Sequence, residues 1–288
     1  MALRLLRLFP LPLTRFCLLP ALPLYRLLRG RHVEELRARF AASPYAGRLE
    51  PAAYYRRRLD LLLRGLKAHG GGIARAFPRI ETEGDEAYRE ALATGRPVVL
   101  LGLHAGPLEL LHRLPPAAPG RPFFILTAPA FAPALSAFLA RGREREGKRI
   151  LWTGGRGGRG LESGLRACLE NRGVLALMVD QHPGNGGDRE WLDLWGRVRL
   201  PYPGRLLRFL EGQGCLFVPV SAALAGDTAR LRFHGTWGTA APAWVRDFLE
   251  RAIGRAPDQW NWSYPGIIPL PAPGAPSEPG AETESGPA

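Results

Sequence analysis

Lysine is almost missing from this 288-residue chain: apart from Lys67 and Lys148, every strongly basic residue is an arginine. Cysteine is scarce as well. Cys17, Cys168 and Cys215 are odd in number, widely spaced and never arranged as CxxC, which argues against a disulfide framework and against a zinc site. His32, His69, His112 and His234 have no ligand-like spacing, so no metal is expected. Long apolar runs are missing too. The longest uncharged stretch near the start, Phe16 to Tyr25, has ten residues and contains prolines, whereas a spanning helix needs about 20 apolar residues. Residues 1–31 contain no acid, and residues 271–288 contain no large apolar side chain.

The net charge is +13, and hydrophobic residues make up 46% of the chain. The second figure describes a globular protein with a sizeable core. The first favours polyanionic partners: nucleic acid, an anionic lipid surface or a phosphorylated substrate. No nucleic-acid-binding motif accompanies it, and Trp191 and Trp195 alternate as packing residues of a strand do, so nucleic acid is not expected. Six arginines among leucines, phenylalanines and prolines make residues 1–31 a basic-apolar segment for contact with an anionic membrane surface. Residues 32–270 form the expected globular domain. The Pro/Gly/Ala/Ser/Glu-rich segment 271–288 cannot bury enough surface to order itself and reads as a disordered tail.

Between these ends the pattern alternates. Helices are expected over 51–69, 84–94, 108–114, 132–141, 161–171, 204–210 and 242–253. Strands are expected over 97–103, 122–126, 149–153, 174–179, 216–220 and 229–233. Helix–strand alternation with fully apolar strands predicts an α/β fold: a largely parallel mixed sheet covered by helices. In such sheets the sites lie beyond the carboxyl ends of strands.

The strand at 97–103 is followed by His104-Ala105-Gly106-Pro107-Leu108-Glu109. On one regular helix His104 and Glu109 would stand about 140° apart and would not meet. With His104 on the strand-end loop and Glu109 on the first turn beyond Gly106 and Pro107, they can converge. A histidine held by a carboxylate is a general base able to activate a hydroxyl. Glu109 could equally sit in water, with His104 merely closing a loop. A second motif competes: Gly155, Gly157 and Gly160 fit G-x-G-x-x-G between a strand and a helix, and Asp180 ends the next strand. This is the pattern of a dinucleotide site in an NAD-dependent oxidoreductase. The same loop could bind a phosphate through its backbone, or simply be solvated; no Walker lysine follows it. His182 decorates the loop after Asp180.

Four blocks in order resemble a known family. His104 to Glu109 matches the H-x4-D/E block of glycerolipid-type acyltransferases and is most similar to the late acyltransferases of bacterial lipid A synthesis. Gly173 to Gln181 is similar to that family's segment ending in Asp-Gln. Leu194 to Arg197, then Pro201, Gly204 and Val218-Pro219-Val220, resemble the stretch after it. Pro257-Asp258-Gln259-Trp260-Asn261-Trp262 resembles its closing block. The resemblance implies a peripheral or monotopic enzyme on the cytoplasmic face of the bacterial inner membrane. Such an enzyme moves a fatty acyl chain from acyl-carrier protein or coenzyme A to a lipid hydroxyl, a lipid A precursor or related glycolipid by default. His104 would be the base and Glu109 its partner; Gly106, Asp180, Gln181, Arg197 and Gly204 would line the substrate cleft. No metal or redox cofactor is implied. Donors for the oxyanion would come from backbone N–H groups near Gly106 or from an arginine. The chain departs from the pattern at Pro107-Leu108 and at Thr127-Ala128-Pro129, where the family has Asn-Trp and an arginine. A membrane-binding scaffold of the same fold without turnover is the non-enzymatic alternative.

Overall fold

The computed structural model describes residues 30–113, 121–128, 133–153, 158–181 and 190–271. Three helical segments lead in: α1 (Gly30–Ala42), α2 (Pro51–Gly71) and the short α3 (Ile73–Ala76). The alternating part follows as β1 (Arg79–Glu83), α4 (Asp85–Ala93) and β2 (Val98–Gly102). Then come a 3-10 turn (Leu108–Arg113), β3 (Phe123–Thr127), α5 (Pro133–Glu144), β4 (Lys148–Trp152), α6 (Gly158–Glu170) and β5 (Val174–Met178). A hairpin of β6 (Glu190–Leu194) and β7 (Val198–Tyr202) precedes α7 (Gly204–Gly212), β8 (Leu216–Ala225), β9 (Thr228–Phe233), α8 (Pro242–Arg255) and β10 (Ile268–Pro269).

Seven strands make one sheet in the order β1-β9-β8-β2-β5-β3-β4. Every neighbouring pair is parallel except β8 with β9. The expected α/β class, with a mostly parallel mixed sheet between helices, is therefore what the chain adopts. Period-two side-chain alternation splits the core between the two faces. Val99, Leu101 and Leu103 face a layer that includes Leu36 and Phe40 of α1, Leu207 of α7 and Phe248 of α8. Val98 and Leu100 face Leu61 and Ala68 of α2 and Tyr88 of α4. Burial on both faces explains why β2 reads as an unbroken apolar run.

The structure differs from expectation most clearly at β1, at the β6–β7 hairpin and at residues 108–113. β1 is exposed throughout and carries no apolar pattern. Its place at the sheet edge is set by parallel pairing with β9, where Glu81 meets Arg230 at 2.8 Å and Glu83 meets Arg232. Charges on an edge strand also discourage pairing with another molecule. The β6–β7 hairpin forms a second sheet with β10, and its inward residues Leu192, Leu194, Val198 and Leu200 join the core cluster on the α1 face. The segment 108–113 is a 3-10 turn rather than an α-helix. The expected membrane-contact segment, residues 1–31, falls outside the described residues except for Gly30 and Arg31, which begin α1, and the expected tail, 271–288, does so except for Pro271.

Candidate active site

Parallel register brings the site together. β2 and β5 are neighbours, with Gly102 opposite Met178. Continued two residues past each strand, that register sets His104 beside Asp180. The Val179 N–H, which donates to the Gly102 carbonyl at 3.0 Å, prolongs the ladder into the loops. His104 Nδ1 lies 2.8 Å from Asp180 Oδ1, and the His104 backbone N–H donates to Asp180 Oδ2 at 2.8 Å. Trp260 Nε1 donates to the same Oδ2, also at 2.8 Å.

Asp180 is 1% exposed. Burial alone would raise its pKa, but the adjoining His104 and the hydrogen bonds from His104 and Trp260 outweigh burial and hold the carboxyl below its ordinary value. Asp180 is thus ionised and bears no proton of its own. The hydrogen in the Nδ1···Oδ1 contact must then belong to His104, which leaves Nε2 as the basic nitrogen. The imidazole side chain is 28% exposed.

The segment Pro257 to Trp262 fixes this arrangement. Trp260 and Trp262 are fully buried and cross edge-to-face at 4.6 Å. Trp262 Nε1 donates to the Pro257 carbonyl at 2.7 Å, and Asp258 pairs with Arg57 of α2 at 3.1 Å. The Gln259 amide clamps β8 by accepting from Leu224 N–H and donating to the Leu224 carbonyl, both at 2.8 Å. Its own carbonyl accepts the Gly106 N–H at 3.3 Å, and Ala105 bridges to Trp260. Gly106 has a φ of +62°, and a Cβ there would stand 2.2 Å from the Ala222 carbonyl oxygen. Only glycine allows the loop carrying His104 to lie this close to β8.

Glu109 is placed differently from the expectation. The carboxylate on His104 is that of Asp180, while Glu109 meets His69 Nε2 of α2 through Oε2 and Arg143 of α5 at 3.7 Å through Oε1. This second cluster backs a cleft of about 140 Å3. Arg58, Leu61, Leu62, Gly65 and Leu66 line it from α2, Leu135 and Leu139 from α5, and Gly106 to Glu109 close the side that continues from His104.

The remaining expected site residues are not gathered at His104. Gln181 follows Asp180 and is partly exposed. Arg197 is exposed at the β6–β7 turn, where its N–H donates to the Leu194 carbonyl and its carbonyl accepts from Leu270 N–H. Gly204 opens α7 in a packing position, since a Cβ there would meet Glu190 Oε2 at 2.3 Å and Tyr202 Oη at 2.7 Å. The backbone near Gly106 does not offer the expected oxyanion donors: the N–H groups of Ala105, Gly106 and Leu108 already donate to the Leu103, Gln259 and Gly106 carbonyls. Of the glycine-rich motif, Gly155 and Gly157 lie outside the described residues, as do His182 and Pro129; Gly160 lies in α6. Asp180 is buried with its oxygens turned to His104 and Trp260, so this side chain does not present an acceptor to a ribose.

Among the described residues there is no group of three or more His, Cys, Asp or Glu able to hold a metal ion, and no helix is long and apolar enough to cross a membrane. Burial pushes the Cys168 thiol up to about 12 and the Cys215 thiol up to about 11, which leaves neither as a nucleophile. No protein-family model matches the chain, and no curated protein matches it either.

Sequence reasoning missed Asp180 as the partner of His104 and Trp260 as its third donor. His104 and Asp180 each stand two positions beyond the last paired residue of their strands, but the pairing of β2 with β5 that joins them is visible only in the sheet.

Proposed function

We propose that the protein is an O-acyltransferase that moves a fatty acyl chain from an acyl thioester to a hydroxyl of a lipid, working at an anionic membrane surface. The observation that carries this reading is the His104–Asp180 pair: a partly exposed imidazole whose Nδ1 is fixed by a buried, ionised carboxylate, on a loop whose continuation, Gly106 to Glu109, lines a leucine-rich cleft.

In the proposed step His104 Nε2 removes the proton from the acceptor hydroxyl as its oxygen attacks the thioester carbonyl. The tetrahedral oxyanion collapses, the C–S bond breaks, and the thiolate leaves with the proton carried by His104. Asp180 stabilises the imidazolium formed in between and does not itself take the proton. The acyl donor is a thioester of acyl-carrier protein or coenzyme A, and the block resemblance makes a lipid A precursor or related glycolipid the first acceptor to try. Because Asp180 is buried against His104 and Trp260, the dinucleotide reading is set behind this one.

The test is expression of the wild type and His104→Ala in a bacterial host, with total lipids compared by mass spectrometry. A lipid heavier by one acyl group in the wild type alone is expected. The same lipid made equally by both proteins would remove His104 as the base, and no acyl product from folded wild type with purified donors and acceptors would remove the reading itself.

A further inference from the structure

The cleft has a polarity that the catalytic pair does not explain. One face of α2 lines it with Arg58, Leu61, Leu62, Gly65 and Leu66, at spacings of three and four that place them in one stripe. From Arg58 to Leu66 the helix advances about 12 Å. A cation therefore stands at one end of an apolar track, and the far wall is completed by Leu108, Leu135 and Leu139.

The charges around it are unevenly used. On the same helix Arg57 is paired with Asp258, and Arg64 is paired with Asp60 and Asp227. The acid in the cleft, Glu109, is met by His69 and Arg143. Among the described residues no carboxylate pairs with Arg58. A guanidinium at the edge of an apolar track, with no acid beside it, is matched to a phosphate or carboxylate borne on an alkyl chain. The anion takes the fork of donors and the chain covers the leucines.

Resting on the acyltransferase reading for its role in turnover, we propose that Arg58 and the α2 leucine stripe form a binding site for an anionic amphiphile, with the phosphate of the lipid substrate on Arg58 and its chain along Leu62 and Leu66. The site would supply the phosphate contact from α2, whereas the family pattern has its arginine after β3.

The experiment measures binding of dodecyl phosphate below its micellar concentration, with dodecyl maltoside and inorganic phosphate as companion probes. The variants are Arg58→Ala, Arg58→Lys and Gly65→Phe, each checked for folding by circular dichroism. Gly65 lines the cleft and a Cβ there meets only Glu109 Cγ at 3.4 Å, so a larger ring is expected to fill the track while keeping Arg58. Dodecyl phosphate should bind the wild type and lose about tenfold or more in affinity in Arg58→Ala, as expected for a charged hydrogen bond. Arg58→Lys should restore part of it. Gly65→Phe should weaken both alkyl probes, and dodecyl maltoside should not distinguish Arg58→Ala from wild type. Equal binding of dodecyl phosphate by wild type and Arg58→Ala would overturn the proposal. So would inorganic phosphate binding as tightly as dodecyl phosphate, which would mean an ion site without a chain. Arg58-dependent binding in a protein that transfers no acyl group would leave this site standing and remove the acyltransferase reading.

Discussion

Replacing Asp180 by asparagine changes one atom and should reverse the chemistry of His104. Two donors, the His104 backbone N–H and Trp260 Nε1, both point at Oδ2, and Trp260 is fully buried. Turning an amide nitrogen toward them would leave two donors facing two donors, which costs about 1–3 kcal/mol for each buried group left unpaired. The asparagine must therefore put its oxygen at the Oδ2 position and its NH2 toward His104 Nδ1. That nitrogen then has to accept, so the ring proton moves to Nε2 and the base disappears. A histidine locked in the wrong tautomer loses about 10^4 in turnover. Because the hydrogen-bond count is kept, the melting temperature should change little. Asp180→Ala, by contrast, strands the donors and should lose about 2–6 kcal/mol. The assay that needs no substrate is 15N NMR of the imidazole: Nδ1 protonated in the wild type, Nε2 protonated in Asp180→Asn. An Asp180→Asn protein with its proton still on Nδ1, or with turnover within a few fold of wild type, would refute the reasoning.

The same pair fixes a pH dependence. The carboxyl of Asp180 lies below its ordinary 3.8 in the folded protein. A depressed acid stabilises the fold fully above its unfolded value, and that stabilisation is lost as pH falls through the lower folded value. Wild type and Asp180→Asn should therefore unfold alike in urea at neutral pH, and the wild type should become the less stable of the two as pH falls below about 4. A wild type that gained stability over Asp180→Asn in acid would contradict the assignment.

Gly106→Ala sets a Cβ 2.2 Å from the Ala222 carbonyl oxygen at a φ of +62°, so it should destabilise by about 2 kcal/mol or more and cost about 100-fold in turnover by displacing His104, read by thermal melting and acyl transfer. Trp260→Phe keeps the buried ring but removes one of the donors to Asp180; kcat should fall with KM little changed, and about 1 kcal/mol of stability should be lost.

The strand positions were legible because β2, β3 and β5 are buried on both faces and show it as apolar runs ended by glycine, proline or a polar residue. β1 was not, because an exposed edge strand held by Glu81–Arg230 and Glu83–Arg232 has no apolar period to detect. The hairpin was half legible. Trp191 and Trp195 suggested a strand, but its partner β7 contains Pro201, which masks it. At the site, His104 and Asp180 were both singled out, yet 76 positions separate them. Sequence order says nothing of the return of β5 to the slot beside β2, which occurs only after β3 and β4 have been laid down on the far side. Spacing along the chain favoured Glu109; spacing across the sheet favours Asp180.

That contrast gives Glu109 a role that can be tested against the one its spacing suggested. The side chain joins α2, the 3-10 turn and α5 through His69 and Arg143, and the side chains of His69 and Arg143 are 2% and 9% exposed. Removing its charge leaves Arg143 buried without its acid, and breaking a buried pair in this way costs about 3 kcal/mol or more. Glu109→Gln should therefore behave as a structural lesion of the cleft wall: a lower melting temperature, weaker binding of alkyl probes, and a His104 ring whose proton stays on Nδ1. The two carboxylates then separate cleanly, because Asp180→Asn changes the tautomer and spares the fold, whereas Glu109→Gln spares the tautomer and weakens the fold. A Glu109→Gln protein that melts as the wild type does while the His104 proton moves to Nε2 would return the partnership to Glu109 and remove Asp180 from it.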